Sequence, residues 1–275
     1  MCFELKRADA RHHEDVVLLV SAVGWSHTPE DIAVLLALGR PWRASDPESG
    51  ATFGVAVWWP MGRAHGRVGL VIVAPEQQGR GIGQALMAQV MEDAGARSLV
   101  LSATEEGRPL YQKLGFETVG LTQRHQGTYA ALPASGQDIR PARADDLAHI
   151  IDLDGAVTGL NRAAMITQMF GAGRVNVLSA AGRLSGYAMA RPFGRGHVLG
   201  PLVASDDAAA EALFAATARP GVLRVDRPLE AESLGRFLTT RDLPGHEITH
   251  TMAHGTPPRG DGLARIFSMA GHAWG

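Results

Sequence analysis

The sequence predicts an α/β (α+β) protein made of two tandem units, each with a mixed, mostly antiparallel sheet flanked by helices. Its 275 residues exceed the usual length of one domain, and 45% of them are hydrophobic, which is ample material for cores. Strand-like and helix-like patterns alternate along the chain, and the pattern of the first half recurs in the second. We therefore interpret the chain as two copies of one α/β unit.

Two pairs of segments carry this repeat. The stretch DIRPARADDLAHIIDL, from Asp138, resembles FELKRADARHHEDVVLL, from Phe3. The stretch GYAMARPFGRGHVLGPLVASD, from Gly186, resembles GVAVWWPMGRAHGRVGLVIVAP, from Gly54. Because both pairs occur in the same order, they indicate that each half folds through the same succession of elements.

A small, polar stretch at residues 133–137 lies between the two copies. Proline, serine and glycine in such a cluster are typical of a linker. We therefore expect an N-terminal domain at residues 1–132 and a C-terminal domain at residues 138–275.

The elements of the N-terminal copy follow from local pattern. Runs rich in Val and Ile and bounded by Pro and Gly predict an antiparallel pair of strands, and apolar residues at helical spacing predict the helix after them. A strand, a short helix ended by Gly115 and a last strand complete the unit. These elements are predicted at residues 52–59, 67–74, 84–94, 98–103 and 105–114, with the last strand beginning near Phe116.

Composition and charge exclude several classes of protein. A net charge of −2 with no basic tract argues against a nucleic-acid partner. Cys2 is the only cysteine, so the chain has no internal disulfide, and a lone thiol does not favour a covalent acyl-enzyme. We find neither a secretory-type leader nor an apolar run of about 18 residues, so we expect a cytoplasmic protein without a membrane anchor. The oligomeric state is left open.

A glycine-rich turn joins a predicted strand to a predicted helix in VIVAPEQQGRGIGQALMAQV, from Val71. The first N–H groups of a helix lack partners within the helix, and the helix dipole makes this end attractive to anions. Side-chain-free positions at Gly79, Gly81 and Gly83 would let a phosphate reach these amides. The spacing matches neither G-x-G-x-x-G nor G-x-x-x-x-G-K-[ST], so a dinucleotide-binding or nucleoside-triphosphatase motif is not indicated.

The residues QGRGIG, from Gln78, match the pattern [QR]-x-x-G-x-[GA] of the GNAT superfamily of acyl-CoA-dependent N-acyltransferases. The residues LYQKLGF, from Leu110, resemble the second hallmark of that family, L-Y-x-K-x-G-F. The two motifs occur in the expected order and at a suitable separation. Residues 1–132 therefore resemble a GNAT domain.

This resemblance implies that acetyl-CoA is the cosubstrate and that no metal is needed. It places the diphosphate on the amides of the glycine turn and the pantetheine arm along the preceding strand, with the thioester between that strand and strand 98–103. Thr104 stands where many relatives carry Asn, so this position departs from the family pattern. The implied cofactor-binding residues are Val71, Ile72, Val73, Gln78, Gly79, Arg80, Gly81, Ile82, Gly83, Gln84 and Thr104.

The resemblance also implies that Tyr111 is a general acid that protonates the departing thiolate. No residue on the central strand can be assigned as the general base that takes the amine proton, because the strand RVGLVIVAP carries no carboxylate. Water could remove the amine proton, or the acceptor site could use His27, Glu30 or Asp31 in the stretch GWSHTPEDI. Each of these three residues has an alternative as a surface or capping residue, and Thr28 with Asp31 has the pattern of a capping box at a helix start.

The C-terminal half contains a string that resembles a metal-binding motif, and it lacks counterparts of the glycine turn and of Tyr111. The string HEITH, from His246, matches a zinc-protease motif, but its β-favouring residues predict a strand, so we do not predict a metal site. At the position of the glycine turn stands SDDAAAE, from Ser205, whose three acidic residues would repel a diphosphate, and Leu238 replaces the tyrosine. The half resembles the degenerate second domain of tandem GNAT proteins and is expected to form a wall of the acceptor pocket.

The sequence thus predicts an N-acetyltransferase that moves an acetyl group from acetyl-CoA to a primary amine by direct transfer, with Tyr111 as general acid. A small-molecule acceptor is favoured, because no charged tract suggests a protein tail or a nucleic acid. The alternative is a non-catalytic protein that binds acyl-CoA as a sensor or scaffold.

Overall fold

The computed structural model describes residues 3–131, 138–180 and 182–275. Cys2 and the predicted linker at 133–137 lie outside the described residues. The strands, in chain order, are β1 (Glu4–Arg7), β2 (Arg40–Ser45), β3 (Thr52–Pro60), β4 (His65–Val73), β5 (Ser98–Ala103), β6 (Glu117–Tyr129), β7 (Ile139–Pro141), β8 (Arg174–Ala180), β9 (Arg183–Phe193), β10 (Gly196–Ala204), β11 (Gly221–Pro228), β12 (Gly245–His254) and β13 (Arg265–Ser268). The α-helices are α1 (His13–Ala22), α2 (Pro29–Leu38), α3 (Ile82–Ala94), α4 (Arg108–Lys113), α5 (Asp146–Thr158), α6 (Ala163–Ala172), α7 (Asp207–Thr217) and α8 (Glu232–Thr239).

The predicted elements of the N-terminal half are present with small shifts at their ends. Strands β3 and β4 form the expected antiparallel pair, and β5 has the predicted bounds. Helix α3 begins two residues before the prediction, directly after Gly81, whose φ of +79° is left-handed. Helix α4 begins three residues late, because Thr104 Oγ1 accepts a hydrogen bond from the N–H of Gly107 and holds the preceding residues in a turn.

The two halves share one mixed sheet of thirteen strands, which confirms the mixed α/β class. Its order is β1-β2-β3-β4-β5-β12-β6-β11-β10-β9-β8-β7, and β13 lies beside β10. Among the pairings in the described part, β4 with β5 and β10 with β11 are parallel, and the others are antiparallel. The sheet is therefore mostly antiparallel, as predicted, but continuous from one half to the other.

The join is made by an exchange of strands. Strand β12, from the C-terminal half, lies between β5 and β6, with His250 opposite Ala103 on one side and Leu121 on the other. Strand β6, from the N-terminal half, pairs in turn with β11 along eight residues. Each half thus completes the sheet of the other, and the strands nearest the join come alternately from the two halves.

Three apolar cores cover this sheet. One lies under α3 in the N-terminal half, around Trp58 and Leu86, and another lies under α7 in the C-terminal half, around Phe214 and Leu223. The third joins residues from both halves, including α1, α2, α5 and α6. Because this third core is shared, burial of apolar surface couples the two halves as well as stabilising each.

The two parallel strand pairs, β4 with β5 and β10 with β11, differ in whether another strand fills the gap where they diverge. Strand β4 pairs with β5 only as far as Val68 opposite Leu101, and the strands then diverge. We call the gap between residues 69–73 of β4 and 102–103 of β5 the open fork. In the C-terminal half β10 and β11 diverge in the same way, but β13 pairs with β10 from Leu202 to Ala204 and fills the gap.

Within the described residues, the helices are all too short or too polar to span a lipid bilayer.

A pair of glycines on β6 provides a test of the strand exchange. A Cβ atom at Gly127 would lie 1.9 Å from the main-chain oxygen of Asp242, whereas one at Gly120 would have its nearest neighbour at 3.9 Å. We expect Gly127→Ala to lower the free energy of unfolding by about 1–3 kcal/mol, because the main chain around Asp242 must move. Gly120→Ala is the matched control, and equal denaturation midpoints for the two variants would contradict this packing.

Candidate active site

A cavity of about 890 Å³ begins at the open fork and runs across the join between the halves. Its N-terminal end is lined by the inner edge of β4 and by the glycine turn, residues 78–83 apart from Arg80. Its other end is lined by side chains of β12, β6 and β11 and by residues 271–274. Both halves of the chain therefore contribute to one continuous space.

The glycine turn has the backbone shape that the sequence predicts. Gly79 and Gly81 have φ angles of +75° and +79°, a region that side chains disfavour, and a Cβ at either would meet nothing within 4 Å. Gln78 Nε2 donates to the main-chain oxygen of Val73 and fastens the turn to the end of β4. Because Gly81 has no side chain to cap α3, the first amides of this helix are free of a side-chain cap at the cavity.

The inner edge of β4 is bent away from β5. Leu70 has a φ of +49°, and the register between β3 and β4 shifts between Val55 and Val57, which marks a β-bulge. Residues 69–73 all line the cavity. The open fork thus offers an extended main chain with no neighbouring strand of the described chain on that edge.

Tyr111 lies on α4 and lines the cavity next to this edge. Its side chain is 7% exposed, and its ring meets Phe116 edge-on at a centroid distance of 6.0 Å. Burial raises the pKa of the Tyr111 phenol well above its ordinary value. The hydroxyl is therefore protonated throughout the physiological range and can donate a hydrogen bond.

The remaining predicted cofactor residues are placed as follows. Thr104 lines the cavity, as do Ile82, Gly83 and Gln84 of the first turn of α3. Arg80 is outside the lining, because its guanidinium contacts Gln77 Oε1 and lies 5.6 Å from the ring of Phe53.

The three acceptor-site candidates separate in the structure. His27 lines the cavity, whereas Glu30 is exposed and Asp31 is not part of the lining. Asp31 and Thr28 form the predicted capping box at the start of α2. Asp31 Oδ1 also accepts a 2.8 Å hydrogen bond from Arg191 Nη1, so its link to the cavity is indirect.

His27 is held against aromatic surface. Its ring meets Phe193 edge-on at 5.3 Å, and burial lowers the pKa of its imidazole to about 4. The Nδ1 atom is buried without a hydrogen-bond partner in the described structure. Together with Trp25 and Phe193, this neutral ring forms an aromatic wall of the cavity.

A charged surface, which the sequence reasoning missed, forms the other end of the cavity. Its residues share one face of three adjacent strands. Asp226 of β11 is paired with Arg124 of β6, and Thr249 of β12 is paired with Thr122, which lies two residues before Arg124 on the same face of β6. We call this surface the polar floor. It consists of Arg124, Arg224, Asp226, Glu247 and Thr249.

The charges of the polar floor are paired. Arg224 Nε and Nη2 donate to Asp226 at 2.8–3.0 Å, and Arg124 Nη1 lies 3.0 Å from Glu247 Oε2. Burial alone would raise the pKa of Asp226, but His272 when protonated, Arg224 and Arg124 lower it below its ordinary value. Asp226 is therefore an ionised carboxylate with no solvent exposure.

The sequence of β11 contains a pattern that could have indicated part of the polar floor. Arg224 and Asp226 alternate with apolar residues in GVLRVDRP, and charges at every second position of a buried strand must face a polar space or each other. His272 has no such signal, because it lies in an irregular segment after β13 and reaches the cavity only through the tertiary fold.

The HEITH string lies in β12, so the strand prediction is confirmed. Its extended backbone does not form the helical face on which the zinc motif depends. Glu247 pairs with Arg124, and His250 Nε2 lies 2.9 Å from Glu105 Oε2.

The C-terminal counterpart of the glycine turn is built as a closed helix start. Asp206 caps α7 by accepting a 2.9 Å hydrogen bond from the N–H of Ala209. Leu238, at the position of the tyrosine, is fully buried in the apolar core. With β13 filling the gap beside β10, these features leave the open fork of the N-terminal half without an equivalent in the described C-terminal half.

Comparison with known proteins identifies the family. Two models of an acetyltransferase (GNAT) domain match, one at residues 40–118 and one at residues 150–268. An uncharacterised N-acetyltransferase, YitH of Bacillus subtilis, is 28% identical over 243 residues, which cover 84% of each chain. The holothin acyltransferase of a Pseudoalteromonas species is 30% identical over 199 residues, or 70% of this chain and 68% of that protein.

The fold comparison agrees with these matches. A solved structure from Pyrococcus horikoshii superimposes with a TM-score of 0.83 at 17% identity, covering 99% of this chain and 96% of that one. The likeness therefore includes the arrangement of both halves as well as the single GNAT unit. On this evidence the chain belongs to the GNAT superfamily of acetyltransferases and carries two GNAT domains in tandem.

Proposed function

We propose that this protein is an acyl-CoA-dependent N-acetyltransferase that moves an acetyl group to a primary amine of a small molecule. The observation that carries the proposal is the continuity of the cavity. It joins an uncapped helix start, a free strand edge, a buried tyrosine and a charged surface in one space. A relative that acts on holothin supports a small-molecule acceptor.

The N-terminal end of the cavity suits acetyl-CoA. The amides of Gly79, Gly81 and Gly83 and the positive end of α3 would hold the diphosphate. The free edge of β4 at Val71 and Val73 would pair with the amide groups of the pantetheine arm, as an added strand does. This arrangement needs neither a metal ion nor a charged side chain on the turn.

The transfer step follows from the same geometry. The amine nitrogen attacks the thioester carbon, and a main-chain N–H within residues 71–73 polarises the carbonyl oxygen. The carbon–sulfur bond then breaks, and the Tyr111 hydroxyl donates its proton to the departing sulfur. The nitrogen loses one proton, which passes to solvent, and solvent returns a proton to the tyrosine.

The acceptor enters from the C-terminal side of the cavity. The aromatic wall formed by Trp25, His27 and Phe193 lies on one side, and the polar floor lies on the other. Both surfaces enclose the space, which favours a small molecule over a folded protein. The second half of the chain therefore serves as part of the acceptor pocket.

Binding of coenzyme A tests the role of the glycine turn. Gly81→Ala forces a methyl group into a left-handed conformation at the start of α3, which costs about 1–2 kcal/mol and displaces the amides. We expect coenzyme A to bind at least tenfold more weakly, as measured by calorimetry.

Gly95→Ala is the matched control for this variant. Gly95 ends the same helix with a φ of +65° and a ψ of −133° and also has open space around it, so an alanine there is at least as strained but lies at the far end of the helix from the cavity. If both variants bound coenzyme A like the wild type, the diphosphate would not lie on the glycine turn.

Turnover tests the role of Tyr111. In Tyr111→Phe, loss of the proton donor is expected to lower kcat about 100-fold with little change in the KM for acetyl-CoA. The measurement is release of free thiol from acetyl-CoA with a panel of primary amines.

Tyr129→Phe is the control, because Tyr129 is equally buried but packs against Phe214 in the C-terminal core. Full activity of Tyr111→Phe would show that Tyr111 is not the general acid. If the wild type released no thiol with any amine while still binding coenzyme A, the non-catalytic sensor would be the correct function.

A further inference from the structure

The segment at residues 269–275 packs between the two halves and carries His272 into the cavity. Arg67, a fully buried residue of β4, donates from Nη2 to the main-chain oxygen of His272 at 2.7 Å. The same nitrogen donates to Ser102 Oγ at 2.8 Å, and Nε donates to the oxygen of Ala273 at 3.1 Å. One guanidinium therefore fixes His272 beside the open fork, to which Ser102 belongs.

The ring of His272 faces the polar floor. Its Nε2 lies 3.4 Å from Asp226 Oδ1 and 3.5 Å from Thr249 Oγ1. The other nitrogen, Nδ1, has no hydrogen-bond partner among the residues that the structure describes. Thr249 Oγ1 donates to the main-chain oxygen of Thr122, so it can accept from a proton on Nε2, and this tautomer leaves the Nδ1 lone pair available.

Several charged groups face this ring from the strands around it. They are Asp226 and Arg224 of β11, Arg124 of β6 and Arg67 of β4. Burial lowers the pKa of His272 to about 4, Asp226 opposes this shift, and the three arginines add to it. The imidazole is therefore neutral above about pH 5 and can accept a proton.

We propose that His272 is the group that takes the proton from the attacking amine, and that Asp226 is its counter-ion. This inference rests on the proposed acetyl transfer. It supplies the base that the central strand β4 lacks, since RVGLVIVAP has no carboxylate.

The proton balance of the reaction is complete with this group. As the nitrogen–carbon bond forms, the nitrogen becomes cationic and its N–H acidic, and the proton passes to Nδ1 of His272. The imidazolium is stabilised by Asp226 at 3.4 Å. Collapse expels the thiolate, which takes the proton of Tyr111, and His272 releases its proton to solvent when the amide leaves.

Two other carboxylates near the cavity are engaged elsewhere, and a third, Glu106, lines the cavity but is exposed to solvent. Asp31 accepts from Arg191 and caps α2, and Glu247 pairs with Arg124. Asp226 itself receives three hydrogen bonds from Arg224, so it is suited to orient a histidine rather than to take a proton. His27 lies against Phe193, and no carboxylate hydrogen-bonds its ring within the described residues.

The test uses His272→Ala in the full-length protein, with acetyl-CoA and the best primary amine from the panel. We expect kcat to fall about 100-fold, with calorimetric binding of coenzyme A unchanged. Added imidazole should restore the rate in a saturable manner. The restored rate should follow the neutral fraction of imidazole as the pH is varied.

Two further variants keep the result interpretable. His272→Gln retains bulk and polarity without a basic nitrogen and should be as slow as His272→Ala, but should not respond to imidazole. His149→Gln, on the exposed face of α5, should match the wild type.

The possible failures are distinct. If His272→Gln turned over like the wild type with the same pH profile, or if imidazole gave no rescue of a folded His272→Ala that binds coenzyme A, His272 would not be the base. If the wild type itself acetylated no amine, the proposed function would fail, and this inference would fall with it.

Discussion

The early end of the parallel ladder between β4 and β5 is the constraint from which the site follows. After Val68 the bulge at Leu70 turns β4 away from β5, so the main-chain groups of residues 69–73 on the β5 side lose a strand partner, while the other edge stays paired with β3. Unpaired main-chain groups in a protein interior need a partner, and an extended ligand arm can supply it. The same divergence places the start of α3 and Tyr111 on the two sides of one gap.

In the C-terminal half, a strand of the protein itself pairs with the corresponding strand edge. Gly69 and Gly200 occupy corresponding places in the repeat, and in both a second main chain approaches where a Cβ would stand. At Gly200 the approaching chain leads out of β13, which then pairs with β10. At Gly69 it is Ala273, which contacts β4 without pairing along it and brings His272 to the cavity.

The exchange of β6 and β12 gives the cavity its charged end. Ionised groups are stable in a buried setting only when each is paired and hydrogen-bonded, and the alternation of strands from the two halves brings the partners into register. Arg124 and Glu247 come from different halves, so their ion pair exists only in the complete chain. Loss of β6 would remove the partner of Glu247, whereas loss of β12 would leave Arg124 with Asp226 alone, at 3.9 Å.

The local elements of the site were predictable because short-range rules determine them. The glycine turn, the strand pair, the end of helix α4 at Gly115 and the capping box at Thr28 all depend on residues within a few positions of one another. The continuous sheet was not predicted. Strand exchange depends on which strand edges pair in the folded protein, and the local sequence pattern does not determine this pairing. For the same reason His272 and Glu247 were missed as cavity residues, although β12 was correctly expected to be a strand.

Backbone amide NMR during titration with coenzyme A would reveal whether the glycine turn and the free edge of β4 hold this ligand. We expect the largest chemical-shift changes at the amides of Gly79, Gly81, Gly83 and Val71. Saturable changes confined instead to the start of α7, around Ala209, or no changes at all, would contradict it.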